Sequence, residues 1–217
     1  MPEWLFILLI TSIVSGAVIG ITRYKYLDNA MRMMVVLQIL SACCELASYI
    51  AVAHRKYAAR YTIYHFYTVF QAFLFTAYFI YAIKPYRYQR MVWASAMFWL
   101  VIGVLNVLFL QPLNTLNSNM MMTECFCFTT LSLYYIYHLL EDDTIIDIFA
   151  YPHFWMAFII LVAWGSTLFF WAFIELLYQI HWSHIVAVLY IQVLSNILTY
   201  FSMAAVLLFY RVNKKLT

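Results

Sequence analysis

WLFILLITSIVSGAVIGIT, residues Trp4–Thr22, decides the fold: nineteen residues in a row carry no charge. About twenty mostly apolar residues in a helix match the ~30 Å hydrocarbon core of a bilayer. The first cation, Arg23, comes directly after this run and no basic segment precedes it. It therefore reads as a span kept in the mature protein rather than a cleaved leader. Working outward, charged or polar segments divide the rest into six more such runs, at 33–53, 61–83, 91–110, 119–140, 153–175 and 185–210. Only helices and closed barrels satisfy their backbone in lipid, and these runs are about twice a barrel strand's length. The expectation is an all-α polytopic membrane protein, a seven-transmembrane-helix bundle forming a single transmembrane domain over residues 1–217.

Composition agrees. Of 217 residues, 67% are hydrophobic and 10% charged, whereas soluble domains carry about 25% charged residues. The net charge of +3 is small and dispersed, which argues against nucleic acid as a partner and leaves the lipid bilayer as the implied one. Cys43, Cys44, Cys125 and Cys127 lie inside apolar runs and show neither a disulfide framework nor a ligand quartet.

Every Lys and Arg falls at or beyond a span end. With the N-terminus outside, nine of the twelve lie on the inner side, so the positive-inside rule favours an outer N-terminus and a cytoplasmic C-terminus. The 141–147 segment, acidic at Glu141, Asp142, Asp143 and Asp147, then lies inside as well. Ser12, Gly16 and Gly20 repeat at four-residue spacing, a pattern that admits close helix approach. The seven spans also divide into three, a linker helix and three, an alignment that sets Gln71 opposite Asn196.

Polar residues inside these spans carry the functional signal. An ionisable group deep in a span costs on the order of 2.5–3.5 kcal/mol on insertion scales and so needs a partner or a wet cavity. Glu45 is the clearest case, on a stripe with Gln38, Ser41, Ser48 and Tyr49. The third span has Tyr64, His65, Thr68 and Gln71; the fifth has Asn117, Glu124, Tyr135 and His138; the seventh has Gln192, Ser195, Asn196 and Thr199. Glu45, His65, Gln71, Glu124 and Asn196 fall at the midplane or in the outer half, where convergence would make an outward-facing ligand-binding pocket. Isolated Ser, Thr, Asn or Tyr groups more often just fix helix register. His54, His138, His153, His181 and His184 lie near interfaces and read as solvated or capped.

Three function classes follow. A sensor or receptor would bind a small ligand or a proton in the outer pocket and signal through a partner protein, because the chain shows no output domain. A proton-coupled transporter would use Glu45 or Glu124, but Pro2, Pro85, Pro112 and Pro152 all sit at span ends, so the helices read as unbroken. A membrane-embedded metal-dependent hydrolase would need a converging ligand set; Glu45, His65, Glu124 and His184 are the candidates, with His181 and His184 in an HxxH pair. A retinal protein needs a lysine deep in a helix, and all five lysines are interfacial, so no Schiff base is expected. The balance favours a binding protein over an enzyme.

Several short segments carry a resemblance: Glu45-Leu46-Ala47-Ser48-Tyr49, Tyr64 to Gln71, Gln111 to Ser118, Glu124, Pro152-His153-Phe154-Trp155 and Ser195-Asn196-Ile197. On these the chain resembles a largely uncharacterised family of small bacterial seven-transmembrane-helix proteins, over most of its length. The resemblance implies a bacterial cytoplasmic membrane protein and a signalling partner such as a histidine kinase. That family often has an acidic residue where this chain has Gln71, and it supplies no catalytic residues.

Overall fold

The computed structural model describes residues 3–83, 89–141, 147–177 and 182–210, without the side chains of 89, 173–177 and 182–185. These residues form seven α-helices: α1 (Glu3–Arg23), α2 (Asn29–Ala53), α3 (Tyr57–Ile83), α4 (Gln89–Leu105), α5 (Ser118–Leu140), α6 (Pro152–Leu177) and α7 (Trp182–Phe209). Six of them are long and apolar enough to cross a membrane. The exception is α5, whose Ser118, Asn119, Thr123, Glu124 and His138 dilute its apolar character. The coarse expectation of a polytopic helical membrane protein stands on those six.

Local chemistry sets the boundaries. Asp28 starts α2 by accepting from the Met31 amide at 2.8 Å, the standard use of an aspartate at a helix N-cap. α2 ends in a Schellman turn, in which Lys56 N–H donates to Ala51 O and Arg55 N–H to Val52 O. Arg55 takes the left-handed position that glycine usually fills, at φ 59°. α4 does not end as a plain α-helix. It widens into a π turn over Asn106–Leu110, where Gln111 N–H donates to Asn106 O at 2.7 Å, and Pro112 follows. The span nevertheless runs without a break from Arg90 to Leu110.

α1, α2, α3, α5, α6 and α7 pack in that order and close back on α1, while α4 lies against α3 outside the ring. Trp99 fastens α4 by donating its indole N–H to Thr76 on α3, at 2.9 Å. The α1–α2 contact uses the small-residue stripe: a Cβ on Gly20 would stand 2.5 Å from Val35 Cγ2, and one on Gly16 would overlap the Gln38 amide. In the middle of the ring Phe75, Phe128 and Trp164 meet edge-on or tilted, with ring centroids 4.5–6.0 Å apart. Large apolar side chains are exposed on the outer faces, as with Trp93 on α4 and Leu108 and Phe109 in the π turn. Cys43, Cys44, Cys125 and Cys127 are all free.

Two polar layers and an unpaired carboxyl

The α2 stripe turns inward. Gln38, Ser41 and Ser48 are buried, and Glu45 is half-buried and accepts from the Tyr64 hydroxyl at 3.0 Å. The Arg60 guanidinium lies over the Tyr64 ring, 5.7 Å from its centroid. Tyr49 is a correction to that stripe: it is 53% exposed and stacks on Phe6, because one further residue rotates it about 100° away from Ser48. One turn deeper than Glu45, the Ser41 hydroxyl lies 2.8 Å from Tyr67 and 3.4 Å from Tyr200, tying α2, α3 and α7 together.

The 111–117 segment does not lie over the helix ends. Thr115 O reaches His65 Nε2 at 3.2 Å, about two turns inside α3, and the Asn117 side chain reaches Thr68, about three turns inside. Non-helical backbone at that depth needs internal polar partners. Gln111 supplies several, donating to Ser118 Oγ at 2.7 Å and accepting from the Asn119 amide at 3.0 Å. It thereby caps α5, a task Asn117 would normally perform. Asn117 is instead committed elsewhere, accepting from Asn106 at 2.9 Å and donating to Thr68 at 2.7 Å.

Glu124 sits two turns into α5, 2% exposed, with no hydrogen-bond partner among the described residues. Of the other expected pocket residues, Asn196 accepts from Gln192 at 3.4 Å, and Gln192 in turn donates to Thr167 on α6 at 2.9 Å. Gln71 is buried and makes no side-chain hydrogen bond among the described residues. Glu45, His65, Gln71, Glu124 and Asn196 thus lie on the inward faces of α2, α3, α5 and α7, yet no hydrogen bond joins any two of them.

At the opposite face lies a second polar layer that the sequence reading missed. His153, the second residue of α6, is 4% exposed and places Nε2 2.8 Å from Asp28 Oδ2. Tyr78 of α3 approaches His153 Nδ1 and His153 O, each at 3.4 Å, and the Tyr210 ring meets the imidazole edge-on. Arg23 donates to Leu208 O and to Tyr210 O, closing the end of α7. Desolvation pushes the Asp28 carboxyl upward. The His153 hydrogen bond and charge, with the Met31 amide and Tyr210 hydroxyl, outweigh it and hold the group below the usual carboxylate range. His153 is therefore no solvated interfacial histidine. The sequence signal was a lone aspartate between two apolar runs and a histidine just inside a Pro-started helix, with nothing to connect them across 125 positions.

Among the described residues no three His, Cys, Asp or Glu side chains stand close enough to hold a metal ion. His181 and the His184 side chain lie outside them. Compared with protein-family models, with curated proteins and with solved structures, the chain matches none.

Proposed function

We propose that this chain is a seven-span membrane sensor, with its N-terminus outside, that responds to a small ligand or a proton in the polar layer nearer the N-terminal face. The observation that carries the reading is Glu124. A carboxyl in the middle of a helix bundle with no partner is expensive, and it persists where a proton, a ligand or a second conformation completes it. α5 serves as the seventh span, its polar inward face explaining its lower hydropathy. Helix α3 connects the two layers directly, carrying His65 and Thr68 in one and Tyr78 in the other. A change in how α3 and α5 pack around Glu124 would therefore reach the Asp28–His153 layer. A signalling partner, such as the histidine kinase the family resemblance implies, would read that layer from the cytoplasm.

A proton-coupled transporter is the second reading, and the 111–117 segment favours it, since it brings non-helical backbone alongside His65 of α3, and such backbone at membrane depth commonly lines transport sites. The division into three, one and three helices is compatible with the ring, in which α4 alone stands outside.

Hydrogen exchange on the protein in nanodiscs separates these readings. A sensor should show altered protection at 24–28 and 148–151 on moving from pH 8 to pH 5.5, and Glu124→Gln should remove the alteration. Unchanged protection in both proteins, or an equal response in both, would sink the sensor reading. A transporter should instead give substrate-driven proton flux into liposomes, abolished by Glu45→Gln or Glu124→Gln.

A further inference from the structure

Arg32 stands near the start of α2, four residues after the Asp28 cap, a spacing at which a carboxylate and a guanidinium ordinarily pair on a helix. They do not pair here. Asp28 turns its carboxylate to the Met31 amide and to His153, and no carboxylate among the described residues forms an ion pair with Arg32. A cation near the start of a helix also gains nothing from the helix dipole, which favours anions there.

The guanidinium is nevertheless held in place. Arg32 Nε donates to Tyr24 O at 3.3 Å, Nη1 donates to Asn29 Oδ1 at 3.3 Å, and the guanidinium carbon lies 5.1 Å from the centroid of the Tyr24 ring. A long side chain held at three points has already lost most of the rotamer freedom that binding a ligand would otherwise take. A guanidinium carries five N–H donors and no acceptor. One donor on Nη1 and both on Nη2 make no hydrogen bond among the described residues, which is enough for a two-oxygen contact with an oxyanion.

The position of the turn selects the oxyanion. The turn joins the candidate spans Glu3–Tyr26 and Asn29–Ala53, so it lies at a membrane surface. Tyr24 and Tyr26 are 42% and 66% exposed on it, and tyrosine is a residue type that sits at headgroup level. Phosphate is the oxyanion that phospholipids carry at that level. In phosphatidylcholine an ammonium accompanies the phosphate, whereas an anionic phospholipid brings an unmatched negative charge to an unmatched positive one.

We propose that Arg32 is the headgroup site for one anionic phospholipid at the turn between α1 and α2. The lipid phosphate takes the free Nη1 and Nη2 donors while Tyr24 and Asn29 keep the guanidinium oriented. The site stands apart from Glu124 and does not depend on the sensor reading.

The test uses the full chain in phosphatidylcholine nanodiscs that hold a trace of phosphatidylglycerol with a diazirine near its phosphate, or of phosphatidylcholine with the same diazirine. Photolabelling and peptide mapping should place about fivefold more label from the glycerol probe than from the choline probe in residues 24–32, the preference that one partly exposed charged pair supports. Arg32→Gln should bring the two probes level. Arg32→Lys keeps the charge but loses the planar fork and its seat on Tyr24, so it should keep less than half of the preference. Lys25→Gln removes an exposed charge from the same turn and should leave the preference intact. Equal labelling of the unsubstituted protein by both probes, or a glycerol preference spread evenly over the other basic span ends, would overturn the proposal. So would an Arg32→Lys protein with the full preference, or a Lys25→Gln protein that loses it as Arg32→Gln does, since either shows a diffuse basic surface instead of a site. Loss of the label to excess inorganic phosphate would overturn the lipid assignment in favour of a free phosphate.

Discussion

His153 Nε2 stands 2.8 Å from Asp28 Oδ2, so the first turn of α6 is fastened to the cap of α2. One carboxylate therefore does two jobs, capping the N-terminus of one helix and holding the imidazole of another. The depressed Asp28 pKa fixes the sign of a pH effect: its stabilisation is complete above the ordinary aspartate value and is lost as pH falls through the lowered one. Thermal stability in detergent should therefore drop below about pH 4, and Asp28→Asn should flatten that drop. The Asp28 side chain is 42% exposed, so a double-mutant cycle with His153→Ala should give a coupling of only about 1 kcal/mol. A zero coupling would mean that the two residues merely sit side by side.

Gly20 makes a sharper steric prediction than Gly16. Both glycines face α2, but the atom that a new Cβ would meet at Gly16 belongs to the end of a flexible amide, while at Gly20 it is β-branched Val35. Gly20→Ala should cost about 1–3 kcal/mol of stability by overpacking. Adding Val35→Ala should recover a good part of that loss, because it removes the two methyl groups in the way. If Gly16→Ala proved the worse of the two, Gln38 would be held more rigidly than its side chain requires.

Helix positions were legible in the sequence because lipid imposes one strong rule, a long apolar run between charges, and all seven runs became helices. The inward faces of α2 and α3 were legible for the same reason, since Ser41, Ser48, His65 and Thr68 cannot favourably face lipid. What escaped was tertiary. Nothing local distinguishes Gln111–Ser118 as a segment that enters the bundle from one that lies above it. Nothing within α2 or α6 announces that Asp28 and His153 will meet. The convergence expected of Glu45, His65, Gln71, Glu124 and Asn196 required neighbours, and periodicity supplies only depth and direction.

Asn117, the buried residue of 111–117, is the one on which that segment depends. It bridges Asn106 and Thr68, so Asn117→Ala leaves the buried Asn106 NH2 group without its partner, at about 1–3 kcal/mol, while Thr68 keeps its bond to the His65 carbonyl. Stability should fall by about 1–3 kcal/mol, and backbone exchange at 111–118 should rise selectively. Asn114→Ala, at an exposed position of the same segment, should change neither quantity. Similar effects from both substitutions would show that the segment is held by its backbone rather than by Asn117.

Glu124 separates stability from function. Its carboxyl has no partner among the described residues and gains nothing from the fold, so replacing it with the apolar, similarly sized methionine removes a desolvation cost without leaving a cavity. Glu124→Met should therefore raise the thermal midpoint in nanodiscs by a few degrees. On the proposed reading, the same substitution should abolish the pH-dependent protection at 24–28 and 148–151, because it removes the group proposed to take the proton or ligand. A structural Glu124 would give the opposite pattern, a lower midpoint with the response intact. Glu124→Gln helps to distinguish the two, since it keeps shape and hydrogen-bonding capacity but cannot ionise. If the glutamine variant keeps its stability and loses the response, ionisation is what the bundle senses; if it keeps both, the pH response does not arise at Glu124 and the sensor reading fails.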